Sequence, residues 1–389
     1  MFWIFGGALQ FGNAGQEAYD GSSFAAQQDV VFITINYRTN VLGFSNSPEI
    51  PVGQQNSGFL DQRFALQWTQ QNVHLFGGNP ELITILGESA GAYSVKQLLA
   101  NPPVPQIYRA AIIESAGEGA AGDGAASWAA LLAALGCPAT GAAALACARA
   151  ADVNTIREII DVNALGFPAA NDNVTNSNSV ALNVEEKKWA NVPVLIGSTA
   201  DEGRLFTYGQ TNVTAFLDAE GLSSLASTIE ATYPPVNNSV QAFEECADIL
   251  TDAVLMCPMV YLLNLAVDNG YTDIWRYYYN ASFPNLEPFP DAGSWHSSEI
   301  KVVFGTYDAA TATAQEVALS KSMQTTWANF AKNPYAGPGW ASWNAGTEAA
   351  LDLGDFGVNG IDSWIPVSPA PVDARCALYN FLYPNIIPI

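Results

Sequence analysis

The stretch Gly87-Glu88-Ser89-Ala90-Gly91 constrains this chain more than any other. It follows an apolar, partly β-branched run over residues 82–86. It precedes a helical pattern over residues 92–100, stopped by Asn101-Pro102-Pro103. Strand, Gly-x-Ser-x-Gly, helix is the context a nucleophile elbow needs. The small residues let the backbone turn sharply around a strained serine. Its hydroxyl then stands above the strand end, with a helix N-terminus aimed at it. Gly, Ser and Ala also populate ordinary turns. The flanking strand and helix set this stretch apart from a chance match.

An elbow of this kind sits in a largely parallel sheet, and the first half of the chain alternates strand and helix patterns. Residues 2–5, 30–35, 82–86, 110–113, 192–197 and 273–279 read as strands. The second is continuous enough for burial on both faces, and the sixth reads as the last main strand. Residues 61–73 read as a helix whose apolar surface comes from Phe64, Leu66, Trp68 and Val73. Residues 125–151 are alanine-rich and helical on both sides of Gly136-Cys137-Pro138, and residues 171–179 form a polar loop. Residues 222–269 read as helices interrupted at Tyr233-Pro234-Pro235 and near Pro258. Leu319, Met323, Trp327 and Phe330 share one buried helix face. With 389 residues, 49% of them hydrophobic, and neither repeat nor linker, the simplest reading is one α/β domain over residues 1–389 with helical insertions.

The formal charge is −23, from 14 basic and 37 acidic residues. So acidic a chain repels nucleic acid and anionic membrane surfaces, and suits a soluble protein in an acidic medium. No apolar run approaches the roughly 18–20 residues of a membrane span, so stable membrane insertion is not expected. No signal peptide is visible, and Met1-Phe2-Trp3-Ile4-Phe5-Gly6-Gly7 already reads as a core strand entering a glycine turn. Upstream sequence is therefore expected. Five cysteines, with sequons at Asn173, Asn212, Asn237 and Asn280, favour the secretory route.

A serine hydroxyl needs a base in contact, and the base needs an orienting acid. The chain has two histidines. His74 ends a helix and leads into the elbow strand from its far end, which suits a structural role. His296 follows the last strand in a turn-rich segment, where sheet enzymes keep their chemistry. Elbow hydrolases place the acid between serine and histidine, and Asp201 and Glu202 both qualify. Gly6-Gly7-Ala8 after the first strand suits an oxyanion loop, with the Ala90 N–H as a further donor. No His/Cys cluster has metal-ligand spacing, and no dinucleotide or phosphate loop is present, so neither metal nor cofactor is expected.

These motifs together resemble the type-B carboxylesterase/lipase family, the cholinesterase-like branch of the α/β-hydrolase fold, in its fungal secreted form. The matching stretches are Trp3-Ile4-Phe5-Gly6-Gly7, Asn36-Tyr37-Arg38, Asp61 to Trp68, Phe76-Gly77-Gly78-Asn79-Pro80, the elbow, Asp201-Glu202-Gly203, His296 with Glu299, and Trp327 to Ala331. The resemblance implies a central, mostly parallel sheet flanked by helices and a serine-type ester hydrolase working through an acyl-enzyme. Ser89, Glu202 and His296 would form its triad, and Gly7, Ala8 and Ala90 its oxyanion donors. Glu88 and Glu299 become carboxylates near the histidine. Ala8 replaces a usual glycine. The resemblance also implies disulfides Cys137–Cys147 and Cys257–Cys376, leaving Cys246 over. It implies a small-molecule or lipid ester as substrate. Family members carry a leader, further strands and a flap ahead of Trp3, so a chain without these strands and flap is expected to have a wider site. The competing reading is a non-catalytic adhesion or binding module. Such relatives typically lose the serine or histidine, and both stand here.

Overall fold

The computed structural model describes residues 1–117, 123–344, 350–357 and 360–383. Its strands are β1 (Phe2–Ile4), β2 (Ile33–Thr34), β3 (Thr84–Glu88), β4 (Ala110–Glu114), β5 (Val194–Thr199), β6 (Ile274–Tyr279), β7 (Leu353–Phe356) and β8 (Trp364–Val367). They form one sheet in the order β2-β1-β3-β4-β5-β6-β7-β8. Every pairing is parallel except β7 with β8. The middle strands β1, β3, β4 and β5 are buried throughout, as apolar strands covered by helices on both faces must be.

The sheet extends beyond the expected last strand. β7 carries only Leu353-Gly354-Asp355-Phe356, too short and too polar for its pattern to register. β2 is an edge strand of two half-buried residues rather than a buried one, because only β1 covers it. The helix Ser57–Asn72 buries Phe59, Gln62, Leu66 and Thr69, while Phe64 and Trp68, expected on its apolar side, are exposed. They lie on the opposite face of that helix from Leu66.

The expected break near Pro258 is absent. A single helical run spans Ser239–Asp268, with a π turn at Thr251–Met256 just ahead of the proline. Pro258 then opens the α-helical part Cys257–Asp268 from its first turn, where its missing N–H costs least. This run also departs from the expected lack of long apolar segments. One window has mean hydropathy 1.7, apolar enough by length and composition to cross a membrane, but 72% of it is buried inside the fold as a core helix. The helix Ala314–Lys332 buries Leu319, Met323, Trp327 and Phe330 as one face and begins with a capping box at Thr313 and Glu316.

Candidate active site

Parallel pairing brings the C-terminal ends of β3, β4, β5 and β6 to one edge of the sheet, and the titratable groups gather there. Glu88 at the end of β3 lies in register with Glu114 at the end of β4. Ser89 follows immediately with φ 55° and ψ −123°, and the helix Ala90–Ala100 starts at the next residue. The strained φ is carried by the serine and not by its glycines. The glycines answer a different demand. A Cβ on Gly91 would stand 2.0 Å from the Ile4 carbonyl oxygen, and one on Gly87 would stand 2.6 Å from the Gly91 backbone. The elbow packs so tightly on β1 that no side chain fits.

Glu202 and His296 come from the loops after β5 and β6. The two loops are locked by a bridge between Asp201 and Trp295. The Asp201 N–H donates to the Ser294 carbonyl at 2.9 Å, and the Ser294 N–H donates to Asp201 Oδ2 at 2.8 Å. Asp201 also pairs with Arg204 at 3.2 Å. Its carboxylate is therefore committed to holding the loops, which separates the two acids that spacing left open. Glu202 is fully buried, accepts the Thr199 N–H at 2.8 Å, and meets His296 Nδ1 at 2.6 Å. His74 is exposed in the turn Val73–Phe76, outside this cluster.

With Nδ1–H donating to Glu202, His296 Nε2 is an acceptor, and it has no hydrogen-bond partner among the described residues. Glu88 Oε1 stands 3.3 Å from it and accepts the Ser297 hydroxyl at 2.5 Å. Burial alone would lower the pKa of His296. The nearby carboxylates Glu202 and Glu88 outweigh it, and the net direction is upward. Burial raises Glu88, opposed by His296 and Ser297. Glu299 is driven far above the carboxylate range by burial and by Glu88, and neither of its oxygens has a hydrogen-bond partner among the described residues. The Phe206 ring packs 4.9 Å from the imidazole, centroid to centroid.

Ser89, Ala90, Ala8 and His296 line one cavity of about 710 Å³. Gly7 (φ 104°) and Ala8 (φ 54°) both lie in the left-handed region, so the loop after β1 turns its backbone beside the elbow. A Cβ on Gly6 would meet Glu88 Oε2 at 2.7 Å and Ser89 Cβ at 2.9 Å, which keeps the loop against the serine. Disulfides join Cys137 to Cys147 and Cys257 to Cys376, and Cys246 is free and buried. The four sequon asparagines are exposed. Among the described residues, no group of three His, Cys, Asp or Glu side chains could hold a metal ion.

Sequence reading missed Phe206, Ser297 and Glu114. Ser297 adjoins His296, and Glu114 ends an apolar parallel strand, so both carried a positional signal. Phe206 carried none, because its contact with the imidazole arises only when two loops meet.

A mostly parallel sheet with a strand–serine–helix elbow at its C-terminal edge defines an α/β-hydrolase. The model of the carboxylesterase family matches residues 1–354, and the chain belongs to that family. It is 32% identical over 377 residues to para-nitrobenzyl esterase of Bacillus subtilis (strain 168), covering 91% of this chain and 75% of that protein. It is 28% identical over 440 residues to acetylcholinesterase of Bungarus fasciatus, covering 100% of this chain and 70% of that protein. It is 30% identical over 378 residues to cholinesterase of Mus musculus, covering 85% of this chain and 61% of that protein. A solved PNB esterase structure superposes with TM-score 0.79 at 27% identity, covering 97% of this chain and 80% of the other. The chain is a carboxylic ester hydrolase acting on small-molecule esters, and the binding-module reading finds no support among these relatives.

Proposed function

We propose that Ser89, His296 and Glu202 carry out ester hydrolysis through an acyl-enzyme. The observation that supports this most is the 2.6 Å contact between His296 Nδ1 and Glu202, in a histidine that shares a cavity with the strained Ser89. Glu202 holds the tautomer whose Nε2 is free to accept a proton. Ser89 Oγ attacks the ester carbonyl carbon and gives its proton to Nε2. The carbonyl oxygen becomes an oxyanion held by the N–H groups of Gly7, Ala8 and Ala90. Collapse breaks the bond to the alcohol oxygen, which leaves with the proton from His296. Water, deprotonated by the same histidine, then releases the acid and restores Ser89. Glu88 and Glu299 act on the reaction through the imidazole.

We read residues 1–389 as one catalytic domain of the fungal secreted type, entering the secretory route with glycans at Asn173, Asn212, Asn237 and Asn280. The acidic surface leaves it without nucleic-acid partners and without stable insertion in membranes. The test is covalent labelling with an organophosphonate and turnover of a para-nitrophenyl ester. A single adduct on Ser89 is expected, and Ser89→Ala should lower kcat on the order of 10⁶-fold with the fold retained. An adduct elsewhere, or a Ser89→Ala enzyme with wild-type turnover, would overturn the assignment.

A further inference from the structure

Glu202 reaches His296 from a turn that is fastened on both sides of it. Before it stands Asp201, bonded to Ser294 in the loop after β6. After it stands Gly203, which is buried and whose N–H donates to Thr251 Oγ1 at 2.9 Å. Thr251 is 48 residues further along the chain, at the start of the π turn Thr251–Met256, and is buried as well. Its hydroxyl proton goes to the Ala247 carbonyl at 2.8 Å, one turn back in the same helical run. That bond uses the hydroxyl's single donor and leaves its lone pairs for Gly203. The approach is close. A Cβ on Gly203 would stand 2.1 Å from the Ala247 carbonyl oxygen, so the loop rests on the helix backbone where no side chain fits.

The helix does not need this hydroxyl for itself. The Ala247 carbonyl already accepts the backbone N–H of Thr251. What the side chain adds is an acceptor for the loop that carries Glu202. The support behind it is stiff. The next residue, Asp252, is buried, accepts the Tyr233 hydroxyl at 2.6 Å and pairs with Arg375 at 3.1 Å. The disulfide Cys257–Cys376 ties the residue after the π turn to the same distant segment. π turns inside helices are frequent at functional sites, and this one presents Val254 and Leu255 to the Ser89 cavity while its first residue holds Gly203.

We propose that Thr251 is a positioning residue for the triad: by holding Gly203 it fixes the reach of Glu202 to His296 Nδ1. This rests on the reading of Glu202 as the acid that orients His296. Without the hydroxyl, the Gly203 N–H becomes a buried donor lacking its acceptor, and the loop shifts to find another. A shift of about an ångström would lengthen the 2.6 Å contact with Nδ1, and misplacements of that size cost about a hundredfold in rate.

The test is kinetics on para-nitrophenyl butanoate, with the fold checked by near-ultraviolet circular dichroism. Thr251→Val keeps the shape and removes the acceptor. It should lower kcat about 10- to 100-fold with little change in KM. The acid limb of kcat/KM should move to lower pH, because Glu202 and Glu88 are the carboxylates that raise His296 and the first has moved away. Thr251→Ser keeps the hydroxyl and should restore both. The same Thr251→Val change is then made in a Glu202→Gln enzyme, itself slower on the order of 10⁴-fold. There its further cost should shrink to about twofold or less, since a residue acting through Glu202 has nothing left to position. If Thr251→Val does not fold, Thr251→Ala removes the same acceptor and is read the same way. Wild-type kcat with an unmoved limb overturns the proposal, as does a serine variant as slow as the valine one. An equal loss in both backgrounds also overturns it, because general packing would act without Glu202. A Glu202→Gln enzyme with wild-type turnover overturns the assignment of Glu202 instead.

Discussion

Glu114 offers the sharpest physical test of the site. It closes β4 in register with Glu88, is fully buried, and accepts the Trp327 indole N–H at 2.9 Å on Oε1, while Oε2 has no hydrogen-bond partner among the described residues. Burial pushes its carboxyl up to about 8 from the usual 4.5, against the pull of the Trp327 bond and with a contribution from Glu88. The folded state thus holds a proton that the unfolded chain releases above pH 4.5. The associated stability is fully present below 4.5 and is lost as pH rises to about 8. At about 1.4 kcal/mol per pH unit, the interval amounts to about 5 kcal/mol, of which about 3 is already lost at neutral pH.

The perturbation is Glu114→Gln, which keeps the shape and the acceptor for Trp327 and cannot ionise. Urea unfolding of wild type and variant, at pH about 5, 7 and 9, should show the variant's relative stability increasing by about 2–3 and then about 4 kcal/mol over its value at pH 5. A difference that stays constant with pH would refute the reasoning, because a packing defect has no reason to titrate. The carboxyl would then have found a partner in the folded state that burial alone does not provide.

Glu88→Gln should move the acid limb of the kcat/KM profile to lower pH, since Glu88 is one of the carboxylates raising His296 and its charge disappears. An unmoved limb would mean the imidazole does not sense it. Gly6→Ala drives a methyl into Glu88 Oε2 and Ser89 Cβ, so kcat/KM should fall about a hundredfold for a shift of an ångström, with a small change in melting temperature. Cys376→Ser opens a bridge spanning 119 residues and should cost about 4–5 kcal/mol in the chain-entropy account, read as a lower urea midpoint under oxidising conditions that reductant does not lower further.

The parts of this site legible in the sequence are those fixed by local chain geometry. The elbow is five contiguous residues with a strand before and a helix after, and its apolar strand and helix periods are the strongest local signals a chain carries. The choice between Asp201 and Glu202 was not of this kind. Both stand in one turn, and only the bridge to Trp295 occupies the first and frees the second. β7 was missed because its four residues include Gly354 and Asp355 and leave no readable apolar run, and β8 because, as the edge strand, it exposes or half-buries each of its residues. Pro258 misled because a proline reads as a break, yet it stands in the first turn of Cys257–Asp268, directly after a π turn, where no backbone donor is needed. What stayed invisible was whatever depends on two distant segments meeting, such as Phe206 on His296.

The same distinction accounts for the concentration of cost at one edge of the sheet. Glu88, Glu114, Glu202 and Glu299 are all buried within a few strands of one another, and the last has two oxygens without a hydrogen-bond partner among the described residues. A fold selected for stability alone would place apolar residues there, since buried carboxylates with few partners destabilise the native state. Three of the four have their pKa raised, which keeps their summed charge below its nominal value. The carboxylate that bonds His296 at 2.6 Å can then act on the imidazole without the full repulsion of three like charges. The backbone strain lies at this same edge, at Ser89 and at Gly7 and Ala8 of the adjoining loop. Strain and buried charge are tolerated together because the β1, β3, β4 and β5 core below them is apolar and closely packed, so the reacting groups are held by a framework that takes no part in the chemistry.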